Sequence, residues 1–273
     1  MNRAMTAGAV VELQGVRKHY GFRQPWVLRG VNLVVDRGSI VELAGSNGAG
    51  KSTLLRILAG ATLPTGGRRI GARPIAVGYV PERLTAPAFS ARAYLHHHVR
   101  LRCLDQHDGS MQILELAERL GAGGLLAERV GVLSKGSLQK IVAIQSLLGQ
   151  PDVLVLDEPF AGLDASSRVA LWELLKERAD QGTAVVFCEH RERPQRVSDR
   201  RLVLAEGVLS EESGAADAFR PGPAGDRLRL VVHPDVSDQE IGRLLGQGWH
   251  IVAVRVQSAE EICIEAVKGS PAG

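Results

Sequence analysis

The sequence predicts an α/β fold with a parallel β-sheet, and three observations lead to this prediction. Residues 153–156 form an unbroken apolar run, which is typical of a strand buried on both faces of a parallel sheet. Strand-like and helix-like segments alternate along the chain, as they do in α/β folds. A glycine-rich stretch at 45–52 stands between a predicted strand and a predicted helix, which is where a phosphate-binding loop belongs.

The first predicted elements are two strands followed by a strand–helix pair. Alternating apolar residues predict strands at 10–13 and 31–35. The apolar segment 40–44 is predicted to be the strand that leads into the glycine-rich turn. The next helix has a buried face made by the leucine and isoleucine residues at 54–58, and Gly60 lies near its end.

The middle of the chain is predicted to be helical before the alternation resumes. Between 82 and 132 the apolar residues at 113, 116, 117 and 120 follow helical spacing, which indicates a helical insertion. Another helix starts after Ser134 and ends before Pro151. The remaining predicted elements are a helix around 171–175, a strand at 183–188 and a hairpin at 201–210.

The end of the chain is predicted to form a small separate unit. Residues 211–226 are small, polar and rich in glycine and proline, which is typical of a linker. Ser237 and Glu240 form a candidate capping box before a short helical pattern. Alternating apolar residues predict strands at 228–232, 252–256 and 262–266. Together these patterns predict a β-α-β-β appendage.

The composition is that of an ordinary soluble globular protein. Of the 273 residues 45% are hydrophobic and 23% charged, and the net charge of +3 gives no reason to expect nucleic acid as a partner. Cys103, Cys188 and Cys263 lack the spacing of a metal site or disulfide framework, so we expect a reducing cytosol. We see no signal peptide and no apolar run of about 18 residues, so any membrane role is expected to need a partner.

Three consecutive histidines, His96, His97 and His98, lie within the predicted helical insertion. Consecutive positions on a helix point in different directions, so the three rings cannot bind one metal ion from regular structure. We interpret them as a polar helical stretch rather than a metal site.

The segment 45–52 reads GSNGAGKS and matches the phosphate-binding pattern G-x-x-x-x-G-K-[ST]. Its glycines let backbone N–H groups point inward around phosphates, and the start of the following helix adds its dipole. Lys51 is predicted to reach the β and γ phosphates, and the Ser52 hydroxyl is predicted to bind Mg²⁺. The predicted ATP-binding residues here are Gly45, Ser46, Asn47, Gly48, Ala49, Gly50, Lys51, Ser52 and Thr53.

Two carboxylates follow the buried apolar run. Asp157 ends the predicted strand and is predicted to hold the Mg²⁺ shell, as an acidic residue on the neighbouring strand does in other nucleotide hydrolases with this loop. Glu158 comes next, and we predict that its carboxylate polarises the attacking water.

In the order of its motifs the chain resembles the ATP-binding domain of ABC transporters over about residues 10–210. Besides GSNGAGKS and VLVLDEP, it has LSKGS at 133–137 in the signature position and AGLD at 161–164 in the D-loop position. His190 follows the strand TAVVFCE in the switch position. Tyr20 matches the aromatic residue that stacks on adenine in that family.

The resemblance implies an ATPase whose nucleotide sites form between two subunits, because in the family the signature closes over the γ-phosphate bound to the opposite subunit. It implies catalytic roles for Glu158 and His190 and a D-loop role for Asp164. Ser134 and Gly136 precede a helix, so a hydroxyl, N–H groups and the helix dipole can form a second anion site. The predicted signature residues are Leu133, Ser134, Lys135, Gly136 and Ser137.

The chain departs from the family pattern in two motifs, and both departures indicate which branch of the family it resembles. Lys135 and Ser137 replace the first glycine and the glutamine of the usual LSGGQ signature, and Glu82 stands where the family usually has Gln. Glu82 is still predicted to contact Mg²⁺, together with Ser52 and Asp157. Both variants resemble the branch that serves export permeases for drugs, antibiotics or polysaccharides.

The predicted architecture is an α/β P-loop NTPase domain of the ABC ATPase type, with a helical insertion and a small C-terminal α+β appendage. We predict an ATP-binding domain at 1–210 with its helical subdomain at about 83–133, a linker at 211–226 and the appendage at 227–273. The resemblance implies a Mg²⁺-dependent ATPase that uses ATP and forms a homodimer or pairs with another ATPase subunit. It is expected to drive a separate integral membrane permease, as part of an exporter, from the cytoplasmic face of the cell membrane.

The alternative is a soluble ABC ATPase that moves no solute, such as a translation, DNA-repair or iron–sulfur assembly factor. Translation factors of this family join two ATPase domains in one chain, and repair members carry long coiled coils, and the sequence shows neither feature. An unrelated kinase or GTPase with the same loop does not account for LSKGS, AGLD and His190 in this order.

Overall fold

Two units make up the chain in the computed structural model, Met1–Gly214 and Ala215–Gly273. In the first unit the structure describes residues 6, 8–21, 24–71, 75–82, 87–189 and 198–211. In the second unit it describes the backbone of residues 227–232, 249–256 and 262–268.

The first unit alternates strands and helices, as the sequence predicts. In chain order its elements are β1 (Ala9–Lys18), β2 (Leu28–Asp36), β3 (Ile40–Ala44), α1 (Lys51–Leu58), β4 (Gly66–Gly71), β5 (Val77–Val80), α2 (Ala91–Leu101), α3 (Gln106–Arg119), α4 (Lys135–Leu147), β6 (Val153–Asp157), α5 (Ala165–Asp180), β7 (Ala184–Cys188), β8 (Arg200–Ala205) and β9 (Val208–Glu211). Two short 3₁₀ helices, Gly123–Ala127 and Val130–Val132, connect α3 to α4.

A six-stranded sheet with the order β5-β6-β7-β3-β8-β9 forms the centre of this unit. Its pairings are parallel except for the β8–β9 hairpin. Alternate residues of β6 face two different cores: Leu154 and Leu156 pack with the helical region, and Val153 and Val155 pack with β1, β2 and α1. The prediction from the apolar run, a parallel-sheet strand buried on both faces, is therefore confirmed.

A second, antiparallel sheet has the order β2-β1-β4 and was not predicted from the sequence. Strand β4 reads GGRRIG, so it has no apolar alternation that would reveal it. It is held by its pairing with β1, and a Cβ at Gly67 would lie 2.3 Å from the carbonyl oxygen of Gly15. Such close backbone contact explains the glycine where a β-strand would favour a larger residue.

The predicted helical insertion is present as α2, α3 and the 3₁₀ turns, which pack with α4. Ser90, Asp105 and Ser134 each cap the N-terminus of one of these helices through a side-chain oxygen. The Arg102 guanidinium just after α2 donates to the carbonyl oxygens of Ser146 and Leu148 near the end of α4. These bonds satisfy carbonyls that a helix end leaves unpaired, and they tie α2 to α4.

The three histidines lie on α2 in different surroundings. His98 is half-buried, and its ring lies 4.7 Å from the Tyr94 ring, edge to face, whereas His97 is exposed. Burial, and then the positive charge of Arg102, lowers the pKa of His98 from 6.5 to about 4. Among the residues that the structure describes, no cluster of three or more His, Cys, Asp or Glu side chains is placed to hold a metal ion.

The lowered pKa of His98 predicts a specific loss of stability in acid. Between pH 6.5 and about 4 the unfolded chain binds a proton at His98 that the folded chain does not, so stability falls as the pH falls through this window. We expect this residue to account for about 1–2 kcal/mol of the loss, allowing for partial solvent screening. Urea unfolding of the parent and His98→Phe across this range measures it, with the exposed His97→Gln as control. Parallel stability curves for parent and His98→Phe would contradict the prediction.

The second unit contains an antiparallel sheet with the order β10-β12-β11. Its strands, β10 (Arg227–Val232), β11 (Trp249–Val256) and β12 (Ile262–Lys268), lie where the apolar alternation predicts strands. The predicted helix after Ser237 and the predicted linker beyond Glu211 lie outside the described residues. In the part of the chain that the structure describes, no helix combines the length and apolar character needed to cross a bilayer.

Candidate functional site

The glycine-rich loop follows β3 and wraps tightly against neighbouring backbone. Gly45 has a φ of +147°, and a Cβ there would lie 2.4 Å from the carbonyl oxygen of Leu204 on β8. Gly50 has a φ of +103°, and a Cβ there would lie 2.9 Å from Val27. At both positions the conformation and the space require glycine. Gly50 is also the N-cap of α1 and provides no side-chain cap, so the first N–H groups of the helix remain available to an anion.

The Lys51 side chain folds into this loop. Only 7% of the residue is exposed, and its ammonium donates to the carbonyl oxygens of Gly45 at 2.7 Å and Ser46 at 3.0 Å. An ammonium has three donors, so one remains for a phosphate oxygen. The positive charge is therefore held in place before any nucleotide binds.

A cavity of about 410 Å³ joins the loop to the acidic residues, and its volume is in the range of small-molecule sites. It is lined by Val27, Asn47, Gly48, Gly50, Lys51, Ser52, Thr53, Glu82, Asp157 and Glu158. The structure thus brings the three predicted metal-shell residues, Ser52, Glu82 and Asp157, to one cavity. The other predicted loop residues, Gly45, Ser46 and Ala49, shape the loop without lining the cavity.

Asp157 ends β6 in a buried position beside Cys188, the last residue of β7. Asp157 is 2% exposed, and its Oδ1 accepts a hydrogen bond from the Cys188 thiol at 2.9 Å. Burial, and then the Asp157 charge, raises the pKa of Cys188, which keeps the thiol protonated as a donor. The other carboxylate oxygen, Oδ2, is buried without a hydrogen-bond partner among the described residues.

The residues in the cavity fit a hydrated Mg²⁺ ion. A buried carboxylate oxygen without a partner is costly, and a hydrated divalent cation would satisfy the Oδ2 of Asp157. The Ser52 hydroxyl and the Glu82 carboxylate are further oxygen donors on the same cavity. Hard oxygen ligands of this kind suit Mg²⁺ rather than a thiophilic metal.

Glu158 lies at the cavity in an unusual backbone conformation. Its φ is +51°, which few residues other than glycine adopt and which often marks functional sites. The backbone is held on both sides: its N–H donates to the Cys188 carbonyl at 3.1 Å, and its carbonyl accepts from the Gln139 amide at 3.4 Å. The turn directs Glu158 into the space that the loop and Asp157 also line.

Tyr20 lies beside α1 and contacts Thr53, one of the residues that line the cavity. Its hydroxyl is 3.1 Å from the Thr53 hydroxyl, and the Lys18 ammonium lies 5.2 Å from its ring centre. The residue is 57% exposed, so much of the ring surface is open for contact. This position next to α1 is compatible with the predicted contact with a base.

Replacing Tyr20 tests that contact. Tyr20→Ala is expected to weaken ATP binding by about 1–3 kcal/mol, or roughly 5- to 150-fold, because the base loses its stacking partner. Tyr20→Trp is expected to keep most of the affinity, and Tyr20→Phe controls for the hydroxyl bond to Thr53. Fluorescent-nucleotide titration compares the four proteins. Equal affinity in all of them would remove Tyr20 from the site.

The signature segment forms the N-terminus of α4 and does not line this cavity. Ser134 and Lys135 are exposed, and the Ser134 hydroxyl accepts from the Ser137 N–H at 3.2 Å as a helix cap. Leu133 is partly buried against the core. An exposed helix N-terminus presents N–H groups and a positive dipole end to solvent, as the predicted second anion site requires.

The signature helix contacts the loop that follows Glu158. A Cβ at Gly136 would lie 2.2 Å from the carbonyl oxygen of Gly162, so only glycine fits between these two loops. Lys140 forms a 3.0 Å ion pair with Asp164, the predicted D-loop residue. Asp164 also caps α5 by accepting from the Ser167 N–H, and this bond with its neighbours lowers the pKa of Asp164.

Some contacts of the site were not predicted from the sequence, and one predicted site residue is not among the residues that the structure describes. His190 is outside the described residues, so its predicted role stays a prediction. The contacts of Cys188, Gln139 and Lys140 with the site were not predicted from the sequence. The signal available for Cys188 was its place at the end of a predicted strand, next to the switch segment.

Known proteins resemble this chain in sequence over most of its length. The family model described as ABC transporter matches residues 28–161. The zinc import ATP-binding protein ZnuC of Halorhodospira halophila is 34% identical over 232 residues, which cover 83% of this chain and 81% of the relative. The chain belongs to the ABC transporter family. Human ATP-binding cassette sub-family A member 10 is 29% identical over 198 residues, covering 67% of this chain and 13% of that protein.

Solved structures of ABC proteins share the fold of this family member. A structure described as the ATP binding subunit of an ABC transporter has a TM-score of 0.70 and 25% identity, covering 79% of this chain and 95% of its own. A dimeric bacterial ABC transporter cassette has a TM-score of 0.68 and 23% identity, covering 74% of this chain and 97% of its own. These similarities confirm the predicted α/β P-loop fold.

Family membership establishes the general activity. This ABC protein is the ATP-binding subunit of an ABC transporter and an ATPase, and its cofactors are ATP and Mg²⁺. When bound with ATP, Mg²⁺ neutralises charge on the phosphate oxygens. The predicted cofactors are therefore confirmed.

Proposed function

We propose that two ATP-binding subunits form two composite sites for Mg·ATP, and that hydrolysis there drives a separate membrane permease. One observation supports this most directly. Within one subunit, residues of the phosphate loop and the acidic residues line the cavity, whereas the exposed N-terminus of α4 does not line it. A complete site would then combine the cavity of one subunit with the N-terminus of α4 from a second subunit.

The proposed roles follow from charge and position. Lys51 neutralises the β and γ phosphates, and Asp157, Ser52 and Glu82 hold the metal's ligand shell. Glu158 orients and deprotonates the attacking water as a general base. His190, by resemblance, senses the γ-phosphate. Positioning and charge neutralisation account for the chemistry, because phosphoryl transfer needs little covalent participation from the protein.

The signature acts on the opposite subunit in this proposal. Ser134 offers its hydroxyl, and the N–H groups of the first turn of α4 add their dipole to bind the γ-phosphate. Lys135 is exposed at this turn and adds a positive charge where the usual signature has glycine. The Ser137 hydroxyl accepts a 2.9 Å hydrogen bond from the Ser134 hydroxyl, at the position where the usual signature has glutamine.

Mixing two inactive variants tests the composite site. Lys51→Ala and Ser134→Arg are each expected to be inactive alone. A mixed dimer would contain one intact site, built from the Lys51 of one subunit and the Ser134 of the other. Mixing equal amounts should then restore activity to at most about half of the parent rate, because a mixed dimer has one of the two sites. ATPase activity no greater than the sum of the separate variants would refute the composite site.

We propose that the protein works at the cytoplasmic face of the cell membrane, bound to an integral membrane permease. The composition and the resemblance support a soluble subunit that reaches the membrane through a partner. Co-expression with a candidate permease, an integral membrane protein with about six bilayer-spanning segments, followed by membrane fractionation, tests the partnership. Recovery of the subunit only in the soluble fraction, with the permease present, would favour the non-transport ABC factor.

The motif variants and the named relatives point to opposite directions of transport. Our prediction of export rests on Lys135, Ser137 and Glu82. The relatives do not support it, because several of them are named as zinc import proteins. Zinc import is therefore the second candidate. The test uses membrane vesicles that carry the permease and enclose this subunit and ATP. The import hypothesis predicts that Zn²⁺ accumulates inside the vesicles, and the export hypothesis predicts that it does not.

We propose that the division predicted from the sequence, an ATP-binding domain at 1–210 and an appendage at 227–273, reflects separate roles. The appendage contributes no residue to the predicted nucleotide site, and we assign it regulation or stabilisation of the dimer. Truncation after Gly225 is expected to leave ATP affinity within about twofold of the parent value. Loss of ATP binding in a truncated protein that remains folded would place the appendage within the catalytic domain.

A further inference from the structure

The last residues of two neighbouring strands meet behind the cavity. Strands β6 and β7 are parallel, and their register pairs Asp157 with Cys188. Paired residues on adjacent strands project from the same face of the sheet, which brings the thiol within 2.9 Å of Asp157 Oδ1. Cys188 is 1% exposed and Asp157 is 2% exposed, so water does not compete for this bond.

The hydrogen bond distinguishes the two oxygens of the Asp157 carboxylate. The terminal torsion of an aspartate has a broad, roughly two-fold preference, so packing alone holds its oxygens weakly. The thiol donates to Oδ1, whereas Oδ2 has no partner among the described residues. The bond therefore fixes the plane of the carboxylate and leaves one defined oxygen for an incoming cation.

Cys188 also contacts the second carboxylate residue of the site. Its carbonyl oxygen accepts the N–H of Glu158 at 3.1 Å, at the residue whose φ is +51°. One residue at the end of β7 thus holds the side chain of Asp157 and the backbone of Glu158. The backbone contact is available to any residue at this position, and the side-chain contact requires a donor.

We infer that Cys188 is a positioning residue, whose thiol orients the Asp157 carboxylate toward the bound Mg²⁺. The inference rests on the proposed role of Asp157 in the metal shell. A non-donor of similar size at this position should therefore weaken metal binding while leaving the contacts to the nucleotide itself in place.

Three variants of the full chain separate positioning from packing. Cys188→Val keeps the apolar volume and removes the donor, Cys188→Ser keeps a donor, and Cys103→Ser removes an exposed thiol as a control. Electron paramagnetic resonance of Mn²⁺ measures the metal concentration for half-saturation in the presence of a non-hydrolysable ATP analogue. Fluorescence titration in EDTA measures affinity for the same analogue without metal. If Cys188→Val fails to fold, Cys188→Ala takes its place.

We expect Cys188→Val to raise the half-saturating Mn²⁺ concentration roughly 3- to 10-fold, because one weak donor to a carboxylate is lost. Cys188→Ser and Cys103→Ser should stay within about twofold of the parent, as should the metal-free affinity of all variants. An unchanged Mn²⁺ midpoint in Cys188→Val, or a Cys188→Ser variant as impaired as Cys188→Val, would overturn the inference. The Asp157→Asn variant separates the Cys188 inference from the proposed function. If Asp157→Asn also leaves the Mn²⁺ midpoint unchanged, the proposed metal role of Asp157 fails as well.

Discussion

Replacing Lys51 by alanine is expected to lower ATP hydrolysis by at least about 100-fold, the scale of losing one strong electrostatic contact in an active site. Lys51 is 7% exposed and its ammonium is already held by two loop carbonyls, so its charge reaches the phosphates without further ordering. Steady-state phosphate release by the purified variant measures the loss.

A surface lysine provides the matched control for this change. Lys176 lies on the exposed side of α5, and Lys176→Ala removes the same charge away from the cavity. Thermal unfolding without nucleotide should show that both variants are folded. Hydrolysis within about twofold of the parent in folded Lys51→Ala would contradict the assignment of the phosphate loop.

Glu158→Gln is expected to slow hydrolysis by roughly 100- to 10,000-fold, the usual contribution of a general base. The substitution keeps the size of the side chain and one hydrogen-bonding oxygen, but it removes the charge that polarises the attacking water. ATP affinity should be retained, because Lys51 and the loop are unchanged. Single-turnover hydrolysis measures the chemical step.

Glu173→Gln on α5 is the control for Glu158→Gln, because this exposed carboxylate lies on a surface helix. It should hydrolyse ATP at nearly the parent rate. A chemical step in Glu158→Gln that is as fast as that of Glu173→Gln would exclude Glu158 as the base.

A structural feature could be predicted from the sequence where it depends on residues that are close together in the chain. The loop at 45–52 and strand β6 each show a local pattern, because a tight turn needs glycines and a doubly buried strand needs a continuous apolar run. Both lie where they were predicted. Helical spacing also predicted a helical insertion at 82–132, which contains α2 and α3, and the helix after Ser134 that is α4.

The sequence was insufficient where a feature depends on which segments become neighbours. Strand β4 lacks apolar alternation and is defined by its pairing with β1. The Cys188–Asp157 bond depends on β7 lying beside β6, which the sequence does not reveal. The close approach of Gly136 and Gly162 likewise joins the first turn of α4 to the loop before α5. These features need the strand order and the packing of α4, which are properties of the whole fold.

Each nucleotide site is proposed to be shared by two subunits, and the Glu158→Gln variant makes this pairing directly measurable. A ligand that binds only the closed dimer shifts the equilibrium toward that dimer, and blocked hydrolysis lets the dimer persist. Size-exclusion chromatography with light scattering should give twice the 29.3 kDa mass of one chain with Mg·ATP, and a single-chain mass without it. Adding Ser134→Arg should abolish the dimer, because a bulky cation would occupy the γ-phosphate position of the opposite site. A monomer under every condition would contradict self-pairing, and a Mg·ATP dimer that survives Ser134→Arg would contradict the composite site.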